Sequence, residues 1–287
     1  MKPPAFDYIR PPDLDELLVT FTDGDVLLAG GQSLLPELNE RRRLPPRLID
    51  LNGVAQLGGC EIGPDRVVLG ALTRHQELVD RADLRAAVPV LSRAAEHVGH
   101  AAVRTRGTLG GSIANADPAA ELPGVCVLLE ASAVLRSPTG GRTALVTELL
   151  QAGGPRDREV IVAIELPRLS PAEGWGFREL SRPGAYAFPV VTVSATLRLA
   201  ADGTVAGLHA AVTGAAPSPY ALGNAAAALL ADAPSDDWID AVAARLATTA
   251  DPVDDLYASA AYRRRIVRHL AHQALVDARR RALPAVA

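Results

Sequence analysis

The chain has 287 residues, about twice a modal domain, with 48% hydrophobic and 22% charged residues, which reads as two or three packed units around sizeable cores. A net charge of −4 argues against nucleic-acid binding held by bulk electrostatics. The two cysteines, Cys60 and Cys126, cannot supply the thiolates of an iron–sulfur cluster, and Lys2, the only lysine, excludes both a GxxxxGK[ST] phosphate loop and a mid-chain Schiff base.

Taken in chain order, Asp13 with Glu16 three residues on forms a capping pattern ahead of Leu14, Leu17 and Leu18, so a helix is expected up to Asp23-Gly24. An apolar strand, Val26–Ala29, runs into Gly30-Gly31. Ser33 then stands where it caps a short helix with Pro36 in its first turn, and Arg47–Leu51 reads as a strand. Arg66–Thr73 is the next strand, followed by helices at Gln76–Arg81 and Leu84–Val98. Arg104–Pro118 shows neither period and holds three glycines, so it reads as a long loop. Glu121–Leu129 reads as a helix, Ala133–Ser137 as a strand and Val160–Leu166 as a buried strand. After Pro167 the texture changes to antiparallel strands at Gly176–Ser181, Val190–Leu199 and Val205–Thr213, with an Asp202-Gly203 turn. Helices then follow at Tyr220–Leu230, Asp237–Thr248 and Ser259–Arg281. The expected class is α+β, divided at 1–55, 56–168 and 169–287, the last part holding a three-stranded antiparallel sheet and helices. No apolar run is long enough to span a membrane, no secretory signal opens the chain, and the sparse cysteines fit a reducing cytoplasm.

Two segments carry chemistry. Leu28-Ala29-Gly30-Gly31-Gln32-Ser33-Leu34-Leu35 puts adjacent glycines at a strand end ahead of a helix, which lets consecutive N–H groups approach an anion. The same pattern alone also describes a plain tight turn. Thr108-Leu109-Gly110-Gly111-Ser112 repeats the chemistry, with Asn115 and Asp117 behind it as partners for hydroxyl groups. Two such loops fit two arms around one diphosphate, and neither is the GxGxxG of a Rossmann fold. The pairs His97/His100 and His269/His272 lack a third ligand and read as solvated histidines rather than a metal site, so no metal and no catalytic side chain are assigned.

The strings AGGQSLLPEL (29–38) and VRTRGTLGGSIANADPAAELP (103–123) resemble the two flavin signatures of the FAD-binding medium subunits of molybdenum hydroxylases, the carbon monoxide dehydrogenase and xanthine dehydrogenase family. The opening FDYIRPPDLDELL, the strand ending at Leu166-Pro167 and Tyr262-Arg263 fit the same layout. The resemblance implies a two-subdomain FAD-binding domain of the vanillyl-alcohol-oxidase (PCMH) type and a C-terminal domain that completes the flavin site. It implies that Ala29–Ser33 and Thr108–Ser112 hold the pyrophosphate through backbone N–H groups, and that Asn115 and Asp117 reach ribityl or ribose hydroxyls. Leu166 would pack near a ring, and Tyr186, otherwise an ordinary strand aromatic, would lie beside the isoalloxazine. The family's Gly-Asp-(Tyr/Phe)-Ala string is here Gly184-Ala185-Tyr186-Ala187, so the acid is missing. The implied role is electron transfer through FAD, from an iron–sulfur small subunit serving a molybdenum-cofactor large subunit to quinone, NAD or dioxygen. A stand-alone FAD-dependent oxidoreductase and a non-catalytic scaffold subunit remain the alternatives.

Overall fold

A computed structural model describes residues 2–181, 188–222 and 232–282. The first part alternates β1 (Asp7–Ile9), α1 (Leu14–Thr20), β2 (Val26–Leu28), α2 (Leu34–Asn39) and β3 (Arg47–Asp50). Its sheet has the order β1-β3-β2 and both pairings are parallel, as short helical crossovers demand. Asp13 caps α1 as its spacing predicts, accepting from the Glu16 N–H at 2.9 Å. Leu17, Phe21, Ile49, Leu51, Val54 and Leu57 form the core beneath this sheet.

The second part holds β4 (Cys60–Ile62), β5 (Arg66–Gly70), α3 (His75–Asp80), α4 (Ala82–Ala87), α5 (Pro89–His97), α6 (Ala101–Arg104), α7 (Leu109–Asn115), α8 (Glu121–Leu128), β6 (Ser132–Ser137), β7 (Gly140–Leu145), α9 (Val146–Gln151) and β8 (Val160–Pro167). Its sheet runs β4-β5-β8-β6-β7, antiparallel throughout. Two expectations change here. The single helix expected at Leu84–Val98 is two, because Pro89 bars the helical conformation from Val88, which sits at φ −141° and ψ 68°. The expected loop Arg104–Pro118 contains α7, capped by Thr108; its glycines lowered the helical signal, yet tertiary contacts require them.

The third part has β9 (Gly174–Leu180), β10 (Val191–Leu199), β11 (Val205–Thr213), β12 (Tyr220–Leu222), α10 (Asp236–Thr249) and α11 (Ala260–Ala282). Its antiparallel sheet is β12-β11-β10-β9, with four strands rather than three: Tyr220–Leu222, expected to begin a helix, pairs instead with Ala210–Val212. The rest of that expected helix lies outside the described residues. Helices α10 and α11 bury Trp238, Ile239, Val242, Leu246, Val267 and Leu275 against this sheet. All of α8 is buried, and a Cβ on its Gly124 would strike the Thr213 side chain, so this helix is wedged directly against β11. A helix buried on every side needs neighbours all round, and α8 has them in α5, α7 and α9 of the second part and β10 and β11 of the third, joining the second core to the third part.

Candidate functional site

The two glycine loops meet. A Cβ at Gly30 would collide with the Arg106 carbonyl and come within 2.8 Å of the Gly107 Cα; a Cβ at Gly111 would lie 3.7 Å from the Ala29 Cβ. Loops about eighty positions apart are thus in contact, and at Gly30 only hydrogen fits between them. Gly31 adds a left-handed φ of 71°, which turns the chain out of β2 into α2.

Their hydrogen-bonding states differ. Among the described residues, nothing accepts from the N–H groups of Gly31, Gln32, Ser33 and Leu34. Ser33 sits at the N-cap of α2 without making the capping bond expected of it, because its backbone is helical (φ −97°, ψ −44°) and the hydroxyl does not reach the first turn. Gln32 is exposed and bonds back to the Gly30 carbonyl at 3.2 Å. Leu34 and Leu35 frame the loop: with Leu28, the Leu35 side chain fills the space a Cβ at Gly31 would need.

In the second loop every corresponding donor is committed. Leu109 N–H bonds to the Thr73 carbonyl (3.0 Å), Gly110 to Ala71 (2.9 Å) and Ser112 to the Thr108 carbonyl (3.0 Å). Gly111 donates to the Thr108 hydroxyl oxygen at 3.2 Å. The expected backbone cradle at Thr108–Ser112 is therefore spent on holding the loop in place. The start of α7 is buried, and the half-buried Gly111 and Ser112, with the Ser112 hydroxyl, are what the loop still presents.

Asn115 ends α7 exposed, ahead of Ala116 in the left-handed region (φ 50°). Asp117 accepts from the Ala119 N–H at 2.9 Å, and burial raises its pKa. Leu166 is 2% exposed inside the second core, so its side chain has no surface to offer a ring. Pairing of β8 with β6 stops at Glu165, however, so the Leu166 backbone has β5 alone as a neighbour and keeps one free edge. Tyr186 and Ala185 lie outside the described residues.

Five residues that sequence reasoning did not single out complete the junction. Asn52 donates to the Ala29 carbonyl at 2.9 Å, and its side-chain oxygen accepts from Arg74, which also donates to the Arg106 carbonyl. Burial would raise the Asp50 carboxyl, but bonds from the Tyr8 hydroxyl (2.5 Å) and the Asn52 N–H (2.9 Å) outweigh it and hold Asp50 below the usual range. His75 lies under Gly107 with neither ring nitrogen bonded, and burial drives its pKa down to about 4, so the imidazole is neutral. Glu121 opens α8 at 4% exposure; burial, then Glu179 and Asp117, push it up to about 8.

Residues 4–169 match the FAD binding domain in molybdopterin dehydrogenase, and residues 175–278 match the CO dehydrogenase flavoprotein C-terminal domain. The chain is 34% identical to the 6-hydroxypseudooxynicotine dehydrogenase complex subunit alpha of Paenarthrobacter nicotinovorans, over 99% of this chain and 98% of that one. It is 31% identical to the carbon monoxide dehydrogenase medium chain of Hydrogenophaga pseudoflava over 96% and 97% of the two chains. A solved structure of carbon monoxide dehydrogenase from that organism superposes with a TM-score of 0.93 at 31% identity, covering 99% of this chain and 100% of the other. The chain belongs to the FAD-binding medium subunits of molybdenum hydroxylase-type dehydrogenases.

It is therefore a flavoprotein subunit of the oxidoreductase class, and its relatives are named as subunits of multi-subunit dehydrogenases. The junction suits an FAD diphosphate on the chain's own chemistry. Adjacent glycines clear the approach, unbonded N–H groups supply donors, and Arg74 places a positive charge beside them. Of the residues the sequence missed, only Arg74 left a trace: a cation just beyond a strand end. Asn52 and His75 are visible as site residues only once the fold brings them beneath the loops. Among the described residues no helix is long and apolar enough to cross a membrane, and no group of three metal-ligating side chains occurs. His272 pairs with Asp240 at 2.8 Å and His269 with Gln273 at 3.1 Å.

Proposed function

We propose that the chain carries electrons from the iron–sulfur clusters of a small partner subunit, through FAD held at the loop junction, to an external acceptor. A molybdenum-cofactor subunit would oxidise the substrate. The observation that carries this reading is the contact between Gly30 and Arg106-Gly107, which sets the free N–H groups of Gly31–Leu34 beside the wall formed by α7.

The residues divide by role. Ala29–Ser33 hold the diphosphate through backbone N–H groups, with the Ser33 hydroxyl as a further donor and Leu28, Leu34 and Leu35 shaping the turn. Thr108, Leu109, Gly110 and Gly111 fix the opposing wall, and Ser112 offers its hydroxyl there. Asn115 and Asp117 take ribityl or ribose hydroxyls, Leu166 offers its backbone edge, and Tyr186 lies beside the isoalloxazine. Glu121, pushed up to about 8, carries a proton at neutral pH, which spares this face of the C-terminal sheet an unpaired buried charge. When bound, FAD supplies the exchange between one-electron and two-electron chemistry, and the chain supplies binding and electrostatic tuning. The acceptor class is quinone, NAD or dioxygen, and the working compartment is the reducing cytoplasm, consistent with two free cysteines. Boundaries at 1–55, 56–168 and 169–287 accord with the three sheets.

The test is reconstitution. The chain purified alone should carry FAD in equal amount, and substrate should bleach its flavin absorbance only when a two-cluster iron–sulfur subunit and a molybdenum subunit are both added. Substrate turnover by the isolated chain would replace this reading with a stand-alone oxidoreductase, and a colourless chain that takes up no FAD would leave a scaffold.

A further inference from the structure

Arg74 occupies an unusual position in the junction, and its significance there rests on the reading that FAD binds between the loops. Its backbone belongs to the second loop. Arg74 bridges Thr108 across a short antiparallel contact, while His75 N–H bonds to the Gly107 carbonyl and Leu109 N–H to the Thr73 carbonyl, both at 3.0 Å. Its side chain reaches across to the first loop. One guanidinium nitrogen donates to the Asn52 side-chain oxygen, and Asn52 in turn grips the Ala29 carbonyl at 2.9 Å. The other donates to the Arg106 carbonyl, the same atom that bars a Cβ at Gly30. One side chain therefore spans the seam between the loops and is anchored on both sides of it.

The charge it brings is not neutralised. Among the described residues Arg74 forms no ion pair: both acceptors are uncharged oxygens. Glu77, the nearest acid in sequence, spends a carboxylate oxygen on the Arg74 backbone N–H at 3.0 Å, and Asp50 is engaged by Tyr8 and Asn52. Burial and the neighbouring Arg106 both disfavour the charged guanidinium, and the fields of Glu77 and Asp50, neither of which pairs with it, offset them only in part. A half-buried cation that pairs with no carboxylate among the described residues, set between two glycine loops, is poised for an anionic group.

We propose that Arg74 is the cationic strut that sets the spacing of the two loops for the FAD diphosphate and leaves a positive charge between them. It acts as a positioning residue, through the loops and through its field, with no redox step of its own. Three properties distinguish such a strut. Flavin affinity depends on Arg74 in proportion to the diphosphate, binding is sensitive to salt because of it, and Asn52 shares only the geometric half of the effect.

The experiment measures FAD and riboflavin dissociation constants for the full-length chain by flavin fluorescence at several salt concentrations. Arg74→Met should weaken FAD roughly ten- to a hundredfold, the scale of losing charge-assisted hydrogen bonds, and flatten the salt dependence. Riboflavin, which lacks the diphosphate, should bind the variant as it binds the unaltered protein. Arg74→Lys should keep the salt dependence and lose only part of the affinity, and Asn52→Ala should weaken FAD with the salt dependence intact. Unaltered FAD affinity in Arg74→Met overturns the proposal; so does an equal loss of riboflavin and FAD, which would mark a merely structural arginine. Should Arg74→Met not fold, unaltered FAD affinity in both Arg74→Lys and Asn52→Ala overturns it. A parent chain that binds no FAD at all removes the functional reading itself, a result distinguishable from failure of the strut.

Discussion

The two glycine loops share a motif and differ in what the backbone does with it. In the first, Gly31–Leu34 keep their N–H groups unbonded, and the cap position of α2 goes unused by Ser33. In the second, Thr108 caps α7, and all four N–H groups from Leu109 to Ser112 are taken up by the chain. Glycine serves opposite purposes in the two places. At Gly31 it permits a left-handed turn that exposes donors; at Gly110, where a Cβ would come within 2.6 Å of the Ala71 Cβ, it permits a helix to sit flush on a neighbouring segment. One loop is a donor surface and the other is the wall that aligns it.

This contrast can be broken most severely at its seam. Gly30→Val drives branched carbons into the Arg106 carbonyl and should abolish FAD retention, read as the flavin-to-protein absorbance ratio after purification. Full flavin content in that variant would mean the loops do not meet as described. The next effect is on the support of the wall. His75 sits folded at about 4, below an unfolded value of about 6.5, so the unfolded chain takes up the proton first. Its contribution is complete above that unfolded value and is lost as pH falls toward 4, a loss of about 3 kcal/mol. Melting temperature should drop across that window, and His75→Leu should remove most of the drop.

Smaller changes sharpen the division of labour. Thr108→Ala removes a cap that the Gly111 N–H requires, and should cost about 1 kcal/mol of stability by thermal or urea unfolding in the flavin-free protein, with Thr108→Ser restoring it. Ser33→Ala removes a hydroxyl with no capping bond to lose, so the flavin-free protein should melt unchanged while FAD binding weakens by about 1 kcal/mol. Equal stability losses in these two variants would erase the distinction between donor surface and wall.

Much of this was legible in the residues. The capping pair Asp13/Glu16, the strand before Gly30, the turn at Asp202-Gly203 and the run of apolar residues in α8 all carry local signals, and the structure follows them. The two glycine loops stood out as a pair and through the family resemblance of the strings around them, since one glycine pair beside a hydroxyl residue also describes a plain tight turn. What stayed hidden depends on partners distant in sequence. Strand β1 is three residues long and exists because Asp7–Ile9 pair with Arg47–Ile49 forty positions on. Helix α7 was concealed by Gly110 and Gly111, whose low helical propensity is overridden by the close packing they allow. The family resemblance sets Leu166 near a ring, whereas its side chain lies in the second core and only its backbone edge is open. Asn52 and Arg74 gain meaning only when two loops converge on them.

The glycines of β9 carry a consequence for how the protein is made. Cβ atoms at Gly174 and Gly176 would overlap the carbonyls of Ala278 and Ala274, so α11 lies directly on the backbone of that strand. The closing helix of the third core ends at Ala282, whereas the elements surrounding both glycine loops all precede the end of β8 at Pro167. During synthesis the elements that carry both glycine loops therefore emerge ahead of the third part, whose sheet must wait for α11 before it can close its core. The two loops are in place before the helix that locks the third sheet exists.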